Sequence, residues 1–112
     1  MIKIDAIVDS EGLLKSCNVA GHAQAGPKGH DIVCAAVSAL TMTSVRVLSN
    51  RAGIRVQGGA PKRGILWMKI EYTPEGKDFL FAAGTFLLEG LKSVSEDYPD
   101  HCKISIFIER RN

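Results

Sequence analysis

Apolar residues recur at two different spacings along this chain, and the order of those spacings constrains the fold more than any other feature. In the N-terminal segment every second residue is apolar, as in Ile2, Ile4, Ala6 and Val8. A period of two is typical of a strand with one buried face, whereas apolar residues three or four positions apart indicate a helix. The chain therefore predicts a domain that contains both strands and helices.

The first half of the chain predicts a hairpin followed by a helix. Residues 2–9 and 13–21 form two strands around the turn Ser10-Glu11-Gly12. Asp31 is placed to cap a helix that runs to about residue 50, before a stop at Gly53. The second strand would turn Leu13, Cys17 and Val19 to one face and Leu14, Ser16, Asn18 and Ala20 to the other. The helix would bury Ile32, Ala36, Ala39, Leu40, Thr43 and Val47.

The second half repeats this pattern and adds one strand. Residues 54–57 and 64–72 predict strands joined by a turn at 58–63, and residues 73–76 open a second helix that ends before Pro99. Residues 102–108 alternate as a final strand. The apolar face of the second helix would comprise Phe79, Ala83, Phe86, Leu87, Leu91 and Val94.

These elements give the order ββαββαβ, which predicts an α+β domain with two helices packed on a mainly antiparallel sheet. A chain of 112 residues with 46% apolar content fits a single domain over residues 1–112, and no linker divides it. No apolar run approaches the ~20 residues of a membrane span, so we expect no membrane partner. The net charge of +2 and the scattered lysines and arginines predict no direct nucleic-acid partner. Three unpaired cysteines and the lack of a signal sequence predict a cytoplasmic protein.

Cys34 is the candidate nucleophile. It would be the third residue of the first helix, where unpaired N–H groups and the helix dipole favour a thiolate. The same N–H groups are placed to stabilise an oxyanion. The alternative is a buried cysteine that acts as a small apolar side chain.

His22 is the candidate base, because it ends the second strand and a loop separates it from Cys34. His30 competes with it, but lies in a Gly-rich loop. Asp31 is a helix cap that also has a second oxygen with which to orient His22, and Ser38 lies one turn beyond Cys34. Residues 24–30 are predicted to be a mobile loop, with Gly26, Pro27, Gly29 and His30 in it.

The residues around these candidates resemble the signature of the ribosomal-processing cysteine protease (Prp) family. The resemblance is carried by Gly21-His22-Ala23, by Gly29 and by Asp31-Ile32-Val33-Cys34-Ala35-Ala36-Val37-Ser38, and a second part by Leu87-Leu88-Glu89-Gly90-Leu91 with Tyr98-Pro99. It implies a Cys34–His22 dyad, a homodimer and a mobile loop between the two residues. It also implies the substrate, a large-subunit ribosomal protein precursor whose N-terminal extension is removed after an aromatic residue. No cofactor and no metal are expected.

Two other functions remain open on the residues alone. Cys17, His22, His30 and Cys34 are ligand types that zinc accepts, which allows a metal-binding module. Cys17 and His22 are five residues apart on one strand, however, so they would face opposite sides. The other alternative is a non-catalytic ribosome-associated binding protein in which Cys34 is merely buried.

Overall fold

Five strands and two helices follow one another in a computed structural model that describes residues 1–22, 31–62 and 64–110. Their order is ββαββαβ, as predicted. The first half comprises β1 (Ile2–Val8), β2 (Leu14–Ala20) and α1 (Ile32–Ser49). The second half comprises β3 (Ile54–Lys62), β4 (Ile65–Tyr72), a short 3-10 turn (Pro74–Gly76), α2 (Lys77–Asp97) and β5 (Cys102–Ile108).

The strands form one sheet in the order β3-β4-β2-β1-β5. Neighbouring strands are antiparallel except β1 and β5, which are parallel. Because β5 runs parallel to β1, the chain must cross back over the sheet before β5 begins. Helix α2 makes this crossover from the end of β4 to the start of β5. The predicted α+β class, with two helices on a mainly antiparallel sheet, is therefore confirmed.

Only one face of this sheet is buried. Ile2, Ile4, Ala6 and Val8 are all buried in a single core with side chains of both helices, while the residues between them are exposed. The period of two in β1 is therefore confirmed. We call the side of the sheet away from the helices the open face.

Leu14 lies on the buried face with Cys17, so its predicted assignment to the opposite face was wrong. The pairing of β1 with β2 shifts where Ile7 faces Ser16 but Val8 faces Leu14, which leaves Lys15 as an extra residue. Such a bulge turns residues on its two sides to the same face. Leu14 and Cys17 are both buried for this reason.

The predicted face of α1 was also wrong. The buried side chains are Val33, Val37, Thr41 and Leu48, whereas Ile32 is 59% exposed. Helix α1 is apolar on nearly every side, so spacing alone does not single out its buried stripe. Its 18 residues have a mean hydropathy of 1.7, which meets the length and composition of a membrane span, although core helices also meet that test.

Helix α2 departs from its predicted face at Phe86, which is 73% exposed. Leu87 and Leu91 are buried as predicted, together with Leu80, Leu88 and Gly84. An added Cβ at Gly84 would lie 3.1 Å from the Cβ of Leu14. This glycine therefore lets the helix approach β2 closely, and the buried stripe turns toward it and away from Phe86.

Strand β3 is longer than predicted, because residues 58–62 extend it where a turn was expected. Gly58 and Gly59 pair with Met68 and Trp67 on β4. The register shifts between Gly59 and Lys62, around Pro61. Strand β3 is an edge strand, and an edge or a bulge is where a sheet tolerates proline.

The end of α1 is tied to the start of α2 through two glycines in contact. Gly53 has φ 77°, and an added Cβ there would collide with the backbone N of Gly76. The Gly53 carbonyl also accepts the Thr73 N–H at 2.9 Å. Neither glycine has room for a side chain.

Replacing Gly53 with alanine is expected to lower the free energy of unfolding by at least about 2 kcal/mol, because left-handed backbone costs roughly 1–2 kcal/mol and the new methyl group meets Gly76 as well. Gly12→Ala is the matched control, since Gly12 has φ 85° but an added Cβ would meet only the Phe81 ring at 3.3 Å. Urea denaturation of both variants measures the difference. Equal destabilisation of the two variants would contradict a tight Gly53–Gly76 approach.

Candidate active site

Asp31 caps helix α1, as predicted. Its Oδ1 accepts the N–H groups of Val33 and Cys34, both at 3.0 Å, and its backbone carbonyl accepts the Ala35 N–H at 3.1 Å. The two bonds to Oδ1 satisfy donors that the first turn of a helix leaves unpaired, and the third is the first regular bond of the helix. The N–H groups of Val33 and Cys34, which were expected to stabilise an oxyanion, are therefore bonded to Asp31 in this structure.

The second oxygen of Asp31 contacts the candidate nucleophile. The Cys34 thiol donates to Oδ2, with 3.1 Å between Sγ and the oxygen. This hydrogen bond exists only while the thiol keeps its proton, since a thiolate at that distance would repel the carboxylate. Asp31 therefore fixes the direction in which the Sγ of the protonated thiol points.

The other two cysteines are deeply buried, whereas Cys34 is partly exposed. Burial, with a smaller effect of the Asp5 charge, raises the pKa of Cys17 to about 12. Burial also raises the pKa of Cys102, and the nearby Cys34 charge adds to that rise. Cys34 thus lies beside the start of β5, and it is the thiol of the three that a reagent can reach.

Gly21 places His22 at the end of β2. Gly21 has φ 98°, and an added Cβ would collide with the carbonyl oxygen of Met1. Its N–H donates to the Gly64 carbonyl at 2.8 Å. A residue with a side chain does not fit here, so Gly21 acts on the site by directing the backbone of His22 out of the sheet.

Gly64 belongs to the same site, although the sequence analysis placed it only at a strand start. An added Cβ at Gly64 would lie 2.7 Å from Nε2 and 2.8 Å from Cε1 of His22. The exposed imidazole of His22 therefore lies over the bare backbone of Gly64. The positive φ of 82° at Gly64 was open to prediction from its turn context, but its approach to His22 was not, because the two residues are 42 positions apart in the sequence.

Cys34 and His22 lie at the same end of the sheet. The start of β5 pairs with the start of β1 at Cys102 and Ile2, and the end of β2 pairs with β1 at Ala20 and Lys3. Cys34 is near enough to Cys102 for its charge to act there, and His22 follows the end of β2 after Gly21. The fold thus brings both candidates to one edge of the domain.

Of the remaining candidates, the structure describes Ser38 only. Ser38 is exposed on α1, one turn beyond Cys34 and on the same side of the helix. The predicted mobile loop, with Gly26, Pro27, Gly29 and His30, lies outside the described residues. Ser38 therefore stays a candidate for lining the site, and the loop and the competing base His30 stay predictions.

The proposed zinc ligands do not assemble in the described part of the chain. Residues 1–22, 31–62 and 64–110 contain no group of three His, Cys, Asp or Glu side chains placed to hold a metal ion. Cys17 is completely buried on the core face of β2. It lies away from His22, which is exposed beyond the strand end, so these two do not share a ligand set.

Comparison with known proteins gives the same family by sequence and by structure. The family model described as cysteine protease Prp matches residues 1–103. The ribosomal processing cysteine protease Prp of Staphylococcus aureus is 44% identical over 48 residues, which cover 43% of this chain and 45% of that relative. That match thus spans less than half of the relative's length.

Two solved structures extend the similarity to nearly the whole chain. The S. aureus protease Prp with a covalently linked product peptide has a TM-score of 0.82 and 26% identity, over 95% of this chain and 99% of that one. SMU.848 from Streptococcus mutans has a TM-score of 0.78 and 31% identity, over 97% and 96% of the two chains. With Cys34 at the capped start of α1 and His22 after the end of β2, the chain belongs to the cysteine protease Prp family.

Proposed function

We propose that this protein is a cysteine endopeptidase that removes the N-terminal extension of a large-subunit ribosomal protein precursor during ribosome maturation. Cys34 is the nucleophile and His22 is the base. The observations that support the proposal are a partly exposed thiol at the capped start of α1 and an exposed histidine just after the end of β2. Membership of a cysteine protease family supplies the reaction class.

The geometry around Asp31 sets the first step of the proposed mechanism. The thiol turns from Asp31 Oδ2 toward His22, which takes its proton. The thiolate attacks the peptide carbonyl carbon, and protonated His22 returns the proton to the leaving amine. Water, activated by His22, then hydrolyses the thioester and restores the thiol. Because Asp31 accepts the N–H groups of Val33 and Cys34, other donors stabilise the oxyanion.

The substrate class rests on relatives. The S. aureus protease has been crystallised with a covalently linked product peptide and with a substrate peptide, which supports a peptide substrate for this chain. The words "ribosomal processing" describe that relative's role. They support a ribosomal protein precursor as the substrate here, in the cytoplasm where ribosomes mature.

An apolar face of α1 supports the homodimer. Ile32 and Met42 are 59% and 61% exposed, and Val47 is also exposed. This face begins two residues before Cys34, so a second copy seated on it would border the active site. Burying these side chains against a partner is favourable by roughly 1.5–3 kcal/mol for each one fully buried.

Cys34→Ala is expected to abolish cleavage of the precursor, and His22→Ala to lower kcat by about 10²- to 10⁴-fold, the usual contribution of a general base. Circular dichroism should show that both variants remain folded, and cleavage is followed by mass spectrometry. Should His30→Ala lose activity while His22→Ala keeps it, the assignment of the base is wrong. A wild-type protein that cleaves no precursor would favour the non-catalytic binding protein.

The hydrogen bond to Asp31 predicts how the thiols react. A limiting dose of iodoacetamide at about pH 6.5 should label Cys34 before Cys102 and leave Cys17 unlabelled, because alkylation needs an accessible thiolate and Cys17, with a pKa of about 12, has almost none. Asp31→Asn keeps a capping side chain but removes the charge beside Sγ, so it should speed the labelling of Cys34. Mass spectrometry of the digested protein gives the order. Slower labelling in Asp31→Asn would contradict the proposed restraint.

Met42→Glu is expected to convert a dimer into a monomer, because it places a charge in the proposed apolar interface. Ser93→Glu, which adds the same charge on the exposed side of α2, is the matched control and should leave the assembly unchanged. Sedimentation velocity measures both. A wild-type monomer at tens of micromolar, or a dimer that tolerates Met42→Glu, would refute this interface.

A further inference from the structure

The open face of the sheet gathers positive charge from four strands. Its charged residues alternate with the core residues of each strand and are exposed. Seven charged side chains lie there, five basic (Lys3, Arg55, Lys62, Lys69 and Lys103) and two acidic (Asp5 and Glu71). The excess of positive charge on this one face exceeds the net charge of +2 of the whole chain.

Three of the lysines form a row across the sheet. The register pairs Lys62 with Ile65, Ile65 with Ala20, Ala20 with Lys3, and Lys3 with Lys103. Lys3 and Lys103 are thus direct neighbours on strands about 4.8 Å apart, an arrangement that destabilises a sheet through repulsion. The two ion pairs found among the described side chains, Lys77–Glu11 and Lys92–Glu89, lie elsewhere. A bound polyanion would relieve this repulsion.

The open face also carries two aromatic side chains, one on β4 and one on β5. Trp67 is directly opposite Gly59 on the open face, and an added Cβ at Gly59 would lie 3.2 Å from the indole Nε1. The indole therefore lies over the bare backbone of β3 and remains partly exposed. Phe107, on the same face, is 56% exposed. Cations interleaved with exposed aromatic rings on a sheet suit single-stranded nucleic acid, whose bases stack while its phosphates meet lysines.

We propose that the open face binds single-stranded RNA, with phosphates on Lys3, Lys103 and Lys62 and a base stacked on Trp67. Charge complementarity selects a polyanion, and the partly exposed indole selects one that carries planar bases. The choice of RNA also rests on the proposed function, because a ribosomal protein precursor is itself destined to bind ribosomal RNA. The lysine row borders the active-site edge, since His22 closely follows Ala20, so bound RNA would lie next to the substrate.

This proposal opposes the expectation of no direct nucleic-acid partner. In the sequence Lys3, Lys62, Lys69 and Lys103 are scattered from one end of the chain to the other and form no basic run. The period of two turns Lys3, Lys69 and Lys103 to one face, and the irregularity between Gly59 and Lys62 brings Lys62 to the same face. The strand register then aligns three of the four. The basic surface is therefore a product of the tertiary fold.

The single tryptophan of the chain makes the test direct, because its fluorescence reports on the open face alone. We expect a 12-nucleotide oligouridine RNA to quench Trp67 in the Cys34→Ala protein, where catalysis plays no part. Lys3→Ser with Lys103→Ser should weaken binding at least about fivefold at 0.1 M salt. The slope of log affinity against log salt should fall by about 0.7 for each phosphate that a lysine no longer neutralises. Lys77→Ser with Lys92→Ser removes the same charge away from the open face and should leave the affinity within twofold.

Each contrary result overturns the proposal in a different way. Equal weakening in the two double variants would mean that only net charge attracts RNA. If the Trp67 fluorescence is quenched when the protein concentration is raised but not when RNA is added, a second copy of the chain covers the open face. Competition by polyglutamate as strong as that by RNA would point to an acidic protein partner. Cleavage of a short peptide should be unchanged in Lys3→Ser with Lys103→Ser, and a chain that cleaves nothing would refute the proposed function while leaving the RNA titration intact.

Discussion

The structure depends on the burial of a single face of a five-stranded sheet beneath two helices. Every strand has one apolar side for the core, so its other side is free to carry charge. The same burial fixes the strand register, because a slip of one residue would turn all the core side chains to solvent. The register in turn brings the starts of β1, β4 and β5 and the end of β2 together at one end of the sheet. The position of the candidate active site is therefore a consequence of core packing.

The sequence predicted the element order because each strand and helix carries its own period. Its failures have physical causes. Leu14 was assigned to the wrong face because the bulge at Lys15 is set by pairing with β1, which local alternation does not record. The buried stripe of α1 was missed because a helix that is apolar all round has no stripe to detect. Strand β3 was cut short because Gly58, Gly59 and Pro61 are turn residues by composition, while an edge strand accepts them.

In the candidate site too, the interactions between residues close in sequence were predictable and those between distant residues were not. Asp31 and Cys34 are three residues apart, so the cap was predictable from the sequence and is present. The approach of His22 to Gly64 joins residues that flank two different strands, and no local pattern encodes it. The local pattern did not show that the cap takes the N–H groups of Val33 and Cys34, which were expected to stabilise an oxyanion. This competition appears only when each hydrogen bond is assigned.

The bond from Cys34 to Asp31 has a consequence for how long the enzyme survives between substrates. Peroxides oxidise a thiolate, and a sulfenic acid that is oxidised further is not recovered. A thiol that keeps its proton on a carboxylate is slow to enter that sequence. While that bond is made, Cys34 is therefore protected from irreversible oxidation.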